Sequence, residues 1–392
     1  MSVTSTDVAK TRHGMVLMAA AVMPAMAIIA LVPVLPMLMR EFAQVPGAAF
    51  LVPAALTVPA LCVALFSPVA GWLSDRFGRK PVLITALFGY AAIGLLPLLL
   101  TDLYLFVGSR ILLGLAEAAI MTVSTALIGD YFEGEHRERW IATQVATVSV
   151  SAILLIAAGG ALGEAFGSRG PFFLYLLALP VGAIAALTLF EPHRQPSQAN
   201  QTSARQAGVL PLLATTFFVG ILFYTVIVQL GPILERVGTQ SPALIGLVGA
   251  GANLGVVAGS LLFARLKGST GPRLLALGLS LAFVGYSGIS IAPSLGLVAF
   301  FIVVACVGSG VMLPNMLTWT MSRLPFHSRG AGTGSWTGSF FLGQFAAPLL
   351  VVGVSAMTAG LGATLLIYGL LAGVAAIAAL VIHRAAPLSK SA

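Results

Sequence analysis

The sequence predicts an all-α membrane protein with twelve transmembrane helices in two pseudo-symmetric six-helix bundles. Three observations predict this fold: the chain is 58% hydrophobic over 392 residues, its apolar runs have the length of membrane spans, and its positive charges fall between alternate runs. Charged residues make up only 8% of the chain, whereas soluble domains carry about 25%. Lipid must therefore be the solvent for much of the surface.

Twelve apolar runs approach or exceed the roughly 20 residues that a helix needs to cross the hydrocarbon core. Backbone polar groups cannot stay unpaired in hydrocarbon, so these runs must be helices. The predicted spans cover residues 14–38, 48–73, 81–100, 103–129, 141–163 and 171–190, and then 209–230, 243–264, 272–292, 294–320, 331–355 and 358–382. We therefore divide the chain into a tail (1–13), a first bundle (14–190), a linker (191–208), a second bundle (209–383) and a second tail (384–392).

Positive charges fall on one side of this topology. With twelve spans both termini share a side, and the opposite side holds only Arg40, Arg169 and Arg236. Arg110 lies inside a span, and every other Lys and Arg, out of 20 in the chain, falls on the side of the termini. Cytoplasmic loops carry such an excess, so we expect a multi-pass protein of the cell inner membrane with both termini in the cytoplasm.

The sequence offers little for enzymatic chemistry. Cys62 and Cys306 both lie inside apolar runs, where they offer neither a disulfide framework nor a metal cluster. No Walker-type loop is present, so ATP is not the expected energy source. We expect no enzyme activity, no cofactor and no metal, and a proton gradient as the driving force. The expected partners are a small-molecule substrate, protons and the lipid bilayer, with no nucleic acid, and the chain is expected to be a monomer.

A polar stretch between the second and third spans carries a specific motif. Residues 71–80 read GWLSDRFGRK, and G-x-L-x-D-R-x-G-R-K after a second span resembles the signature loop of the major facilitator superfamily. The matching residues are Gly71, Leu73, Asp75, Arg76, Gly78, Arg79 and Lys80. In the fourth span, Arg110-x-x-x-Gly114 resembles the second signature of the proton-coupled drug-exporter branch. The resemblance implies a transporter that works by alternating access.

The charges of this loop predict a latch between the two bundles. The eleventh span begins with small residues at 330–334, and a carboxylate at such a helix N-terminus is stabilised by roughly 0.3–1 kcal/mol. We expect Asp75 to make this contact when the cytoplasmic side is closed, as the resemblance also implies. The predicted latch residues are Asp75, Arg76, Gly78, Arg79, Lys80 and Asp130, with Glu133 or Glu135 as further partners for the cations. A purely topological role for these charges stays open.

The fourth span carries a charged face. Arg110, Gly114, Glu117, Met121 and Ser124 recur at helical spacings of three and four residues, which places them on one side of the helix. Glu117 is the only acid near the middle of a span, and such residues usually face a cavity and carry function. Burial disfavours a carboxylate whereas a guanidinium favours it. Proton coupling, an ion pair with a cationic substrate and a static pair with Arg110 are the three readings.

The resemblance implies that spans one, four, seven and ten line the transport path. Methionines are frequent in spans one, four and ten, and they give an adaptable apolar wall. Such a wall favours small amphipathic organic molecules over sugars, although ordinary packing explains any single methionine equally well. The cavity-lining candidates are Met23, Met26, Met121, Tyr224, Gln229, Met312, Asn315 and Trp319.

Glycines in two spans bear on the direction of transport and on helix packing. Drug antiporters usually carry Gly-Pro-x-x-Gly-Gly in span five, where this chain keeps only Gly159 and Gly160. Proton-coupled export is the first prediction, and import of an organic anion held by Arg110 is the alternative.

Small residues at 251, 255 and 259 in span eight let helices pack closely, and the resemblance implies that spans two, five, eight and eleven form the seam between bundles.

Overall fold

The computed structural model describes residues 10–192, 209–266, 271–324 and 329–385, and within those ranges it contains helices and no strand. The first half consists of span 1 (Thr11–Glu41), span 2 (Ala48–Phe77), span 3 (Arg79–Leu98), span 4 (Leu103–Tyr131), span 5 (Gly134–Phe166) and span 6 (Gly167–Leu177 with Ala178–Thr188). The second half consists of span 7 (Leu210–Val228 with Leu230–Glu235), span 8 (Pro242–Arg265), span 9 (Gly271–Ile291), span 10 (Leu295–Ser322), span 11 (Arg329–Met357) and span 12 (Leu361–Ala385).

Spans 5 and 6 are joined without a loop. Among the described residues, eleven helical segments have the length and hydropathy of a membrane span, but Gly134–Thr188 is 55 residues long, enough for two crossings. The chain turns at Gly167, whose φ of 72° suits glycine, and it continues as a 3₁₀ segment from there. Twelve crossings result, as the sequence predicts, although the fifth and sixth are separated by a helical corner.

The loops of the twelve spans meet in two groups at the two ends of the bundle. At one end, which we call the basic face, Arg79 contacts Asp130 and the Glu191 carboxylate accepts from the Arg79 backbone N–H. At the other end, the opposite face, Arg40 pairs with Glu235 and Arg169 with Glu41. Loops between spans 2 and 3 and between spans 4 and 5 therefore share one end, as an even span count requires.

The two halves repeat one tertiary contact. In span 3 the Tyr90 hydroxyl donates to the Met23 carbonyl of span 1 over 2.6 Å. In span 9 the Tyr286 hydroxyl donates to the Leu222 carbonyl of span 7. The helix of each accepting span is interrupted one to two turns after the accepting carbonyl. The first helical segment ends at Ile29 in span 1 and at Val228 in span 7. This tyrosine clamp fixes the first span of each half against the third.

The halves touch closely at the opposite face. A Cβ on Gly160 of span 5 would lie 2.5 Å from the Pro242 carbonyl oxygen and 3.0 Å from Gly246 Cα, both in span 8. The Ser241 hydroxyl donates to Glu164 across the same seam, over 2.7 Å. Only glycine permits this approach, so the opposite face is closed.

The basic face is open in the same structure between the described residues of spans 2 and 11. The Asp75 side chain of span 2 is 65% exposed, and Cβ atoms on Gly334 and Gly338 of span 11 would meet nothing within 4 Å. Spans 2 and 11 approach one another farther from the basic face, where the Thr57 hydroxyl lies 3.5 Å from the Phe345 carbonyl oxygen. The gap between the halves therefore widens toward the basic face.

The GxxxG run of span 8 serves a different contact from the seam. Gly255 and Gly259 pack against the Val303 and Val307 carbonyls of span 10, inside the second half. Gly246, one turn before the run, makes the contact with span 5 instead. Small residues at this spacing permit close packing, but they do not specify which neighbour is packed.

Candidate functional site: a cavity between the halves

A cavity of about 330 Å³ lies between the two halves, within the usual size range of small-molecule sites. Spans 1, 2, 4 and 5 line it from the first half, and spans 7 and 11 from the second. Its apolar lining includes Pro24, Ile28, Val148 and Phe341. The polar lining side chains are Glu117, Ser124, Thr125, Gln144, Ser149, Tyr224 and Gln344. A mostly apolar wall with a few converging polar groups suits an amphipathic ligand.

Glu117 is the only charged side chain among the described lining residues of this cavity. It lies in the middle of span 4 and is 3% exposed. One of its carboxylate oxygens, Oε1, has no hydrogen-bond partner. A buried polar atom left unpaired costs roughly 1–3 kcal/mol. The fold therefore keeps an incompletely satisfied carboxyl group at the cavity wall, which is free to take up a proton or to meet a ligand.

Arg110 lies two turns before Glu117 on span 4. Aromatic side chains surround it, and it is not among the residues that line the cavity. Its guanidinium donates to the Tyr175 hydroxyl over 2.5 Å and to the Ala27 carbonyl over 3.3 Å. The guanidinium carbon stacks 5.7 Å from the Phe172 ring, a cation–π distance. The side chain is fully buried. Within the described residues, no ion pair joins Arg110 to Glu117, although both lie on the predicted face.

Two glutamines were missed by the sequence analysis. Gln344 of span 11 is 2% exposed, and its Oε1 has no partner. Gln144 of span 5 faces it from the first half, and its Oε1 lies 3.4 Å from the Thr125 hydroxyl. A glutamine inside an apolar span is the signal that could have identified both, because an amide is costly to bury without a partner. Together with Glu117 they bring hydrogen-bonding groups from both halves to one cavity.

Two of the eight cavity-lining candidates line the cavity, and six do not. Met121 and Tyr224 line the cavity. Met23 and Met26 are buried in the core of the first half, and Gln229 is buried at the break of span 7. The remaining three candidates lie in span 10 and face span 9: Met312 packs on Gly278, the Asn315 amide donates to the Gly271 carbonyl over 2.9 Å, and Trp319 packs on Gly271.

Span 10 therefore contributes nothing to the described lining of this cavity, whereas spans 2, 5 and 11 do. The physical reason is the rotation of span 10 about its own axis. The glycines of span 9 receive the methionine and tryptophan side chains of span 10, which turns the predicted face of span 10 into the interior of its own half.

The signature loop lies at the basic face. Gly78 ends span 2 with φ 102°, a conformation that favours glycine, and it lets span 3 begin at the next residue. Arg79 contacts Asp130 as predicted, and its second guanidinium nitrogen lies 3.4 Å from Asp75. Arg76 stacks near Trp72, 5.5 Å from the ring centroid. Asp75 is largely exposed in this structure, and its predicted contact with the start of span 11 stays a prediction.

Glu191 is a partner of the loop that the sequence analysis did not identify. Its two carboxylate oxygens accept from the backbone N–H groups of Arg79 and Lys80, over 2.7 and 2.8 Å. These are the first free N–H groups of span 3, where a negative charge is favourable. Lys80 thus joins the cluster through its backbone. The contact ties the end of span 6 to the signature loop.

Comparison with known proteins places this geometry in a family. The family model described as Major Facilitator Superfamily matches residues 17–348. The tetracycline resistance protein, class C, of Escherichia coli is 29% identical over 351 residues, which cover 83% of this chain and 85% of that protein. Multidrug resistance protein 1 of Bacillus subtilis (strain 168) is 29% identical over 191 residues, covering 49% of this chain and 48% of that protein.

Solved structures agree on the fold. A bacterial homolog of the human lysosomal transporter Spinster, in an inward-facing and occupied conformation, gives a TM-score of 0.79 at 18% identity and covers 96% of this chain and 97% of that one. The same protein in an inward-facing and unoccupied conformation gives 0.65 at 18% identity, covering 95% of each chain. At such identities the likeness concerns the fold alone.

Proposed function

The chain belongs to the major facilitator superfamily of membrane transporters, and on that premise we propose that it exports small amphipathic organic molecules in exchange for protons. The single observation that carries the proposal is Glu117, a buried carboxyl group with one unpartnered oxygen, on the wall of a mostly apolar cavity between the halves. A charge at membrane depth is costly and is kept where it has a function.

The proton step is built on the surroundings of Glu117. Burial favours its neutral form, and the positive charge of Arg110, buried two turns away on the same span, favours its carboxylate. When the cavity opens to water, the effect of burial weakens and the carboxylate form of Glu117 becomes more favourable. The proton gradient then sets the direction: Glu117 takes up a proton when the cavity faces the exterior, where protons are more concentrated, and releases it when the cavity faces the cytoplasm. The same carboxylate would attract a cationic or polar substrate group.

The export direction rests on the relatives. The matched proteins of Escherichia coli and Bacillus subtilis are named as resistance proteins for tetracycline and for multiple drugs. The apolar cavity wall is suited to similar amphipathic molecules. Import of an organic anion held by Arg110 gains no support, because that guanidinium is fully buried in its cage and is not a lining residue.

The membrane orientation follows from charge. The basic face carries the signature loop and both ends of the chain's described part, and cytoplasmic loops carry the excess of Lys and Arg. We therefore assign the basic face to the cytoplasm and the opposite face to the exterior of an inner membrane. The structure then corresponds to a state open to the cytoplasm.

Everted membrane vesicles test the coupling directly. A pH-sensitive dye should report proton release from the vesicle interior on addition of tetracycline or of ethidium, a hydrophobic cation. Glu117→Gln should abolish this release, whereas Glu133→Gln, at an exposed acid that makes none of the described contacts of Arg79, should leave it unchanged. Exchange of labelled substrate across the membrane without a gradient should survive in Glu117→Gln, because that exchange needs no proton. Full proton release in a folded Glu117→Gln protein would remove Glu117 from the mechanism.

A further inference from the structure

A second cavity lies in the second half, at the basic face and apart from the transport cavity. Its volume is about 560 Å³, and spans 7, 9, 10 and 12 line it. The lining runs from Pro211 to Phe218 on span 7 and from Pro272 to Leu279 on span 9, which is roughly 10 Å along each helix at 1.5 Å per residue. The shape is a groove of two helical turns that starts at the membrane surface.

The groove is apolar inside and is bordered by lipid-exposed side chains. Leu212, Leu275 and Leu279 are among its lining residues. On the outer surfaces of spans 7 and 12, Leu210 is 71% exposed and Ile377 is 65% exposed. Large apolar side chains so exposed on membrane spans contact acyl chains. Ala214 of span 7 and Ala378 of span 12 line the groove and are themselves exposed, so the groove opens between these two spans to the bilayer.

The polar end of the groove is positive. Arg323 lines it, and Arg273 follows the lining residue Pro272 in the first turn of span 9 and is exposed. Trp319, an amphipathic side chain typical of the membrane interface, lines the groove one turn from Arg323. A cationic rim above an apolar groove is complementary to a molecule with an anionic head and an apolar tail.

No aspartate or glutamate of the second half can neutralise this rim. The sequence contains no Asp or Glu after Glu235, and Glu235 pairs with Arg40 at the opposite face. The first half differs, because Arg79 contacts Asp130 and lies near Asp75 at the basic face. The arginines of this rim therefore have no Asp or Glu partner within the second half, and an external anion can pair with them.

We propose that this groove binds one anionic phospholipid of the bilayer, with an acyl chain between spans 7 and 12 and its phosphate at Arg323. Anionic lipids are concentrated in the cytoplasmic leaflet, and basic pockets between spans on that side bind their head groups. The lipid would hold the basic end of span 7 against spans 9 and 12. The site is separate from the transport cavity, so it rests on the proposed cytoplasmic orientation of the basic face but not on the proposed export.

Native mass spectrometry of the purified full chain tests the site. The protein is titrated with dioleoylphosphatidylglycerol and with the zwitterionic dioleoylphosphatidylcholine, which share their acyl chains. The anionic lipid should bind more tightly. Arg323→Gln should weaken its binding about fivefold, the effect of one arginine near an anionic surface, and should leave phosphatidylcholine binding unchanged. The matched control is Arg139→Gln, a cation of the basic face that lies 3.8 Å from Glu135 in the first half.

Filling the groove gives a second, independent arm. Ala378 and Ala214 both line the groove and are exposed, so Ala378→Phe or Ala214→Phe fills it without disturbing a packed core. Either variant should reduce binding of both lipids, while size-exclusion profiles confirm that it is folded. Three results would overturn the proposal: an equal loss in Arg139→Gln, full lipid binding in both filled variants, or equal competition by soluble glycerol phosphate, which would mean that the rim binds anions without a tail.

Discussion

Substitution of Gly160 by alanine should shift the conformational equilibrium of the protein. The new Cβ would lie 2.5 Å from the Pro242 carbonyl oxygen and 3.0 Å from Gly246 Cα, whereas unstrained contacts are about 3.5 Å. Both neighbours are backbone, so spans 5 and 8 must separate by about 1 Å. Overpacking of this kind costs about 1–3 kcal/mol. Only conformations with a closed opposite face bear this cost, so their population relative to outward-open states should fall about 5- to 150-fold.

Cysteine labelling in sealed vesicles of either orientation measures this shift. Thr125→Cys places a thiol on the transport cavity, and the native Cys62 and Cys306 are buried. An impermeant maleimide should reach the new thiol mainly from the basic face in the parent, and far more from the opposite face when Gly160→Ala is added. Gly251→Ala in span 8, whose Cβ would meet nothing within 4 Å, is the control. Unchanged labelling with Gly160→Ala, or an equal shift in the control, would refute the steric reasoning.

Two further substitutions test the contacts around Arg110 and the signature loop. Tyr175→Phe should lower the free energy of unfolding by about 1–3 kcal/mol, because Arg110 already has two unpartnered nitrogens and would lose a further partner. Thermal unfolding in detergent measures this loss. The control Tyr104→Phe, at a side chain 60% exposed, should not change the unfolding transition. Glu191→Gln should cost about 1 kcal/mol, because an amide accepts fewer of the N–H bonds at the start of span 3 and carries no charge. Glu133→Gln should leave the same unfolding transition in place, and equal losses in both acids would contradict a specific cap.

The sequence predicted the spans well because the bilayer imposes two simple requirements. Length and hydropathy determine each crossing, and alternation of positive loops determines its direction. Even the corner between spans 5 and 6 left the count unchanged. The contact of Arg79 with Asp130 was also within reach, because the loops that carry them must share a face. Long-range packing was not needed for any of these predictions.

Rotation of a helix about its own axis could not be predicted in the same way. Met121 and Met312 occupy comparable positions in apolar spans, yet the first lines the cavity and the second packs on Gly278. In a span that is hydrophobic on all sides, periodicity does not distinguish a cavity from a neighbouring helix. Arg110 shows a related limit, because its long side chain reaches Tyr175 of span 6 rather than its neighbour on the same face, Glu117.

The tyrosine clamp bears on why one half carries a cation. Cys306 follows Tyr286 at the same interval at which Arg110 follows Tyr90, and Cys306 is buried like Arg110. One copy of the duplicated unit thus assembles around a neutral thiol. A guanidinium is therefore not required at this position of the repeat, and in the first half it places a positive charge on the same span as Glu117.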